Sequence, residues 1–226
     1  MRLYHLLPAI GGLLLAAAPA VADEAHSLPL VYEDSFEDGA DHWEPTDPAA
    51  WRVAEVDGKS VYHQFGQSDY EPPHRSPVNV SLLKEIRVSD FVLTATVKST
   101  AERSGAHRNM CVIFGHRDPA HFYYVHLGHR PDPHSSQIML VDDAPRRMIT
   151  ENESPGIPWD DWHQVKVVRC TTEGTIEVYF DDMENPVMVA RDTTFTSGRI
   201  GLGSFDDHGY WTDLKLYGKR VEDPEE

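Results

Sequence analysis

Trp162-His163-Gln164-Val165-Lys166-Val167, Gly174-Thr175-Ile176-Glu177-Val178-Tyr179-Phe180, Gly198-Arg199-Ile200-Gly201-Leu202-Gly203-Ser204 and Trp211-Thr212-Asp213-Leu214-Lys215-Leu216 are the runs that decide the architecture. In the first two, apolar residues fall at every second position: Val165 and Val167, then Ile176, Val178 and Phe180. That period puts alternate side chains on opposite faces of an extended chain. A turn cluster, Asp181-Asp182-Met183-Glu184-Asn185-Pro186, closes the second run,.

The same alternation continues on both sides. Residues 91–97 place Phe91, Leu93, Ala95 and Val97 on one face. Residues 110–114 and 122–127 form two more strands, joined by Arg117-Asp118-Pro119-Ala120, and residues 137–141 follow. Residues 187–190 and 210–217 complete the series. No window of a dozen residues keeps helical apolar spacing without Pro, Gly or β-branched interruption. The expectation is an all-β chain folded as a two-sheet antiparallel β-sandwich or jelly roll.

Residues 1–22 read as a secretory signal peptide: Arg2 at the positive end, a short apolar run, and Ala20-Val21-Ala22 before Asp23-Glu24,. Export to the periplasm or the extracellular space follows. The expected layout is a leader over 23–30, a domain over 31–218 and an acidic tail over 219–226. A net charge of −17 argues against nucleic acid and anionic membrane surfaces, which select basic faces. No later apolar run is long enough for membrane insertion, and a monomer is expected. Cys111 and Cys170 are compatible with a disulfide in an oxidising compartment, but a core of this size needs no staple, which favours two separate thiols.

The runs Trp159-Asp160-Asp161-Trp162-His163, Gly174 to Asp181, Gly198 to Ser204 and Trp211 to Leu216 together resemble the concanavalin A-like lectin/glucanase jelly roll. The likeness is to the branch of laminin-G-like and bacterial 3-keto-disaccharide hydrolase-like domains. It extends in layout over about 31–218 and is sharpest over 159–217. The resemblance implies that Trp162 caps the core, Gly174 makes a hairpin turn, and Gly198 and Gly201 mark turn and close-packing positions. It also implies that sugar is bound on a concave sheet face. Such a fold specifies architecture far better than activity.

Candidate chemistry collects between His107 and His134. This stretch holds six histidines (His107, His116, His121, His126, His129 and His134) with Arg108, Arg117 and Arg130, and no lysine. Arg and His suit anion recognition and proton transfer. Strand parity puts Tyr123, Val125 and Leu127 toward the core, and Phe122, Tyr124 and His126 on the outer, concave face. If the neighbouring strand keeps one parity, Arg108 and His116 share a face with each other, opposite Cys111 and Ile113. Gln137 and Arg147 extend the same surface from the next strand.

Three chemistries compete for this face. Recognition of a polysaccharide or oligosaccharide would use aromatic stacking with Arg, His and Gln hydrogen bonds. A lyase acting on a uronate-containing polysaccharide would use Arg108 and His116 to neutralise the carboxylate and Tyr124 or His126 as base; jelly-roll lyases pair His and Tyr in these roles. Glycoside hydrolysis needs two carboxylates. Glu55-Val56-Asp57 opens like a laminarinase-type motif, but Gly58-Lys59-Ser60 supplies no second glutamate, so Asp57-Gly58 reads as a hairpin turn. A non-catalytic adhesion domain is the remaining class. No cofactor is required. The histidine spacing matches no zinc pattern. The resemblance permits a structural calcium between the first and last strands, with Asp34 and Asp213 as carboxylates, although solvated strand-end acids are the simpler reading of both.

Overall fold

Period-two alternation resolves into antiparallel strands throughout a computed structural model that describes residues 27–101, 105 and 107–222. The signal peptide and the start of the leader lie outside the described residues. The strands are β1 (Leu30–Asp34), β2 (Trp43–Pro45), β3 (Trp51–Val56), β4 (Lys59–Gln64), β5 (Asn79–Ser99), β6 (Asn109–Asp118) and β7 (His121–Gly128). They continue with β8 (Gln137–Asp142), β9 (Arg147–Met148), β10 (His163–Cys170), β11 (Thr175–Phe180), β12 (Met188–Arg191), β13 (Gly198–Ser204) and β14 (Gly209–Val221). Among the described residues the helical content is a 3-10 turn over Pro48–Ala50, started by Asp47, whose carboxylate accepts from Ala49 N–H.

Two layers share one long strand. The first part of β5 pairs with β2 and β13, and its second part pairs with β10 and β14. Between them Glu85 takes φ 54 and the chain passes from one layer to the other. One layer therefore runs β2, β5, β13, β6, β7, β8, β9; the other runs β12, β11, β10, β5, β14, with β1 and β4–β3 beyond β14. Between the layers lies the main core. Val112, Phe114, Tyr123, Val125 and Leu127 enter from the first, and Leu93, Val97, Val165, Val178, Trp211 and Leu216 from the second. Each such side chain contributes about 1.5–3 kcal/mol by leaving water.

The expected strands all form, and the expected hairpin turn at Asp57-Gly58 connects β3 to β4 with φ values of 53 and 75. Gly174, with φ 74, sits in the β10–β11 turn. Three expectations need correction. Trp162 does not cap the core: it precedes His163 and so has the opposite parity to His163, Val165 and Val167. It lies part-exposed against Tyr210, while Trp159, 5% exposed, joins the core and donates its indole N–H to the Leu127 carbonyl. Strand β14 continues past 218, with Arg220 opposite Val88 and Val221 opposite Arg87, so part of the supposed tail is sheet. Strands β1 to β4 and the first half of β5 add edges that the alternation did not announce. Cys111 and Cys170 are both free thiols.

Candidate functional site

The outer face of the first layer is built by cross-strand rows. Ile113, Tyr124 and Met139 lie side by side on β6, β7 and β8, and Cys111, His126 and Gln137 form the next row. On β13, Gly201 is opposite Ile113 and Gly203 opposite Cys111. A Cβ at Gly203 would collide with the Asn79 carbonyl, and one at Gly201 would press on Leu82 and Ile113. Glycine here lets large neighbours fill the face. The parity expected for β7 is the parity found.

This face is not an open groove. Val80, Leu82, Cys111, Ile113, Phe122, Tyr124, Met139 and Val141 form a second, smaller apolar cluster, with Phe205 packed on it. Tyr124 is 0% exposed. Its hydroxyl accepts from Arg146 Nη1 at 3.3 Å, and the Arg146 guanidinium lies 4.6 Å from the Phe205 ring centre. Phe205 also sits 5.5 Å from the His126 ring. The Pro-rich segment 66–78 crosses the rest, held by Ser68 N–H donating to Asn79 Oδ1 and Gln67 Nε2 donating to the Phe205 carbonyl.

Between this strap and the sheet lies a hollow of about 560 Å³. His126 lines it, with Tyr70, Glu71, Arg75 and Ser76 from the strap, Asn109 and His134 from strand and loop, and Arg146, Phe205 and Asp206 opposite. Burial, helped by Arg146, pushes the His126 pKa down to about 3. Its Nδ1 accepts from Ser136 N–H at 3.3 Å, so the neutral ring carries its proton on Nε2. Burial also raises the Tyr124 pKa well above its ordinary value. Two guanidiniums and the carboxylates of Glu71 and Asp206, beside neutral donors and acceptors, make this a polar surface with hydrogen-bonding groups of both kinds,.

Several site expectations separate here. Arg108 does not join the hollow: it donates to Ser99 Oγ, the Ser99 carbonyl and the Trp159 carbonyl at 2.8–2.9 Å. His116 and Arg108 do not share a face either. Gly115, with φ 59, and the register shift before Asp118 rotate His116 onto the outer side, where it contacts Phe122 at 5.5 Å. It therefore sides with Ile113 rather than facing away from it. Arg147 points to the other side of β9 and pairs with Asp192 at 3.3 Å; its neighbour Arg146 takes the position expected of it. Gln137 lies on the expected face but is 7% exposed and donates to the Asp132 carbonyl. Phe122 is in the apolar cluster.

Of the other histidines, His121 pairs with Asp118 and meets Phe195 edge-on, and His129 bonds the Ile157 carbonyl. His134 and His107 reach the hollow. Sequence reading missed Tyr70, Glu71 and Arg75, because a strap without periodicity announces no face. The density of Pro, Tyr and Arg in it was the available signal.

Asp34 and Asp213 do line one hollow between β1 and β14, of about 340 Å³. The residues do not fit a calcium shell. Asp34 accepts from the Tyr32 hydroxyl, Phe36 N–H and the Trp43 indole, and Asp213 faces the Lys59 ammonium at 3.0 Å. Calcium wants lone pairs free of such donors. Among the described residues, no group of three His, Cys, Asp or Glu side chains is placed to hold a metal ion.

No protein-family model and no characterised protein matches the chain by sequence. Solved structures do match its shape. One is the carbohydrate-binding module CBM66 from Bacillus subtilis, 15% identical, covering 78% of this chain and 96% of that one, TM-score 0.56. Another is domain 4 of AbnA, an extracellular arabinanase from Geobacillus stearothermophilus, in complex with arabinotriose: 13% identity, 86% and 95% coverage, TM-score 0.55. The Lotus tetragonolobus seed lectin aligns at 6% identity over 85% and 99%, TM-score 0.53. The chain has the concanavalin A-like jelly-roll fold.

Proposed function

We propose that the protein is a secreted carbohydrate-binding domain that holds a polysaccharide or oligosaccharide in the hollow beneath the 66–78 strap. The carrying observation is that hollow: about 560 Å³ on the outer side of the sheet, lined by Tyr70, Arg75, His126 and Arg146. Among the described residues neither arginine is in an ion pair, which leaves Arg75 and the Arg146 donors not used by the Tyr124 hydroxyl for a ligand's oxygens,. Tyr70 and Phe205 offer apolar surface for a sugar ring. The fold's likeness to CBM66 and to a domain in complex with arabinotriose agrees with this use. The signal pattern at residues 1–22 supports secretion.

Acid–base chemistry is the weaker reading. An imidazole with a pKa near 3 is a poor base at neutral pH, and the Tyr124 hydroxyl lies under Arg146.

Affinity gel electrophoresis on a panel of neutral and uronate-rich polysaccharides tests binding. At least one polysaccharide should retard the protein, and Arg146→Ala should weaken that retardation at least tenfold, about 1.4 kcal/mol. Absence of retardation by every polysaccharide overturns the proposal, as does an unaffected Arg146→Ala protein. An unsaturated product absorbing in the ultraviolet would instead establish a lyase.

A further inference from the structure

The outer face of the second layer, on the side of the sandwich away from the hollow, carries a row of aromatic rings. Antiparallel register sets His63 on β4 beside Tyr210 on β14, and Tyr210 beside Lys98 on β5. Trp162, just ahead of β10, extends the row beyond Lys98, and Phe65, just past β4, extends it the other way. Ring centres lie 5.6 Å apart from Phe65 to His63, 4.6 Å from His63 to Tyr210 and 5.8 Å from Tyr210 to Trp162. All four rings are part-exposed. The other four tryptophans, Trp43, Trp51, Trp159 and Trp211, are buried. An antiparallel sheet ordinarily turns polar side chains to water on its outer face, and a continuous run of rings there departs from that pattern.

We propose that this row is a second binding strip, along which a linear polysaccharide chain lies with its sugar rings against Phe65, His63, Tyr210 and Trp162. A sugar ring has an apolar face of C–H groups and a rim of hydroxyls. Part-exposed aromatic rings suit the face. The Tyr210 hydroxyl and the side-chain amide of Gln164, two residues along the Trp162 face, have no hydrogen-bond partner among the described residues and suit the rim. Burial, with Arg52 beside it, holds the His63 pKa down to about 4, so its ring is uncharged at neutral pH. The strip is also narrow. The next outward row across β10, β5 and β14 is Gln164, Thr96 and Thr212, all polar. A stable protein partner would need roughly 800 Å² from each side, more than a row one residue wide supplies. The side chains that expose most apolar surface, Leu30, Val53, Met148 and Val221, lie outside it. A chain one sugar wide matches the strip. Strip and hollow lie on opposite outer faces, so each can be disabled without the other.

Acrylamide quenching reads the strip directly, because Trp162 is the one tryptophan of the five that is not buried. Soluble xylan, mixed-linkage glucan, galactomannan and pectin are the probes. At least one should lower the quenchable fluorescence at least twofold, in the native protein and in Arg146→Ala alike, and the effect should vanish in Trp162→Phe. On affinity gels of that polymer, adding Trp162→Ala or Tyr210→Ala should weaken the retardation left in Arg146→Ala at least fivefold, in protein of unchanged circular dichroism. A polymer that retards the protein and leaves Trp162 equally quenchable overturns the strip and leaves the hollow standing. So does complete loss of retardation in Arg146→Ala alone. Folded Trp162→Ala and Tyr210→Ala proteins that bind like their parent make the row a structural feature only and also overturn it. Neither retardation nor protection by any polymer removes strip and hollow together.

Discussion

Tyr123 and Tyr124 are adjacent, both are 0% exposed, and they belong to different structures. Tyr123 faces the main core, where its hydroxyl donates to Asp192 at 2.5 Å and accepts from Phe195 N–H. Tyr124 faces the concave cluster, under Arg146 and Phe205. One is enclosed by two sheets, the other by one sheet and the loop side chains Arg146 and Phe205. A residue that parity turns away from the core therefore need not meet solvent. What covers it decides whether it is binding surface or a second interior.

The contrast can be broken at the core first. Leu127→Ala removes a fully buried side chain between the layers and should cost about 3–5 kcal/mol, read as a lowered urea midpoint. Met139→Ala, in the outer cluster, should cost less because the half-buried Phe205 packed on that cluster can settle into the space. Equal losses would mean that the cover over the outer cluster is as rigid as a sheet.

Acid should strain the concave side next. His126 and His116 hold folded-state pKa values near 3 and 4, below the unfolded value of about 6.5. Between those values the unfolded chain binds protons that the folded chain refuses. Their contribution is thus whole above about pH 6.5 and is lost as pH falls toward 4 and 3. Each histidine removes up to about 1.4 kcal/mol per pH unit in that window. A thermal midpoint equal at pH 7 and pH 5, or a fall that His126→Gln does not lessen, would refute this.

The smallest effect belongs to Arg147. The Arg147 end of its ion pair with Asp192 is largely exposed and the contact is long at 3.3 Å, so Arg147→Ala should change stability by less than about 1 kcal/mol. Glycan retardation should stay as it is, in contrast to Arg146→Ala. A loss of binding in Arg147→Ala would return that residue to the site.

Much of this was legible in the chain because a two-residue period survives burial on either face. The strands from 91 onward and the division of β7 followed from it. Its failures have local causes. Gly115 inserts a left-handed residue and moves His116 across the sheet, and Arg108 lies just ahead of β6, where backbone carbonyls capture it. Arg146 and Arg147 exchanged roles because a strand of two residues sets too little register to read. The strap escaped because its side chains are organised by what lies beneath them.

Strand β5 has one further consequence. Because it hydrogen-bonds within both layers, neither layer can open along it without disturbing the other. Its amides would exchange with solvent only when the whole domain opens, whereas the strap is joined to its surroundings chiefly through side-chain bonds. The seam makes the scaffold a single cooperative unit.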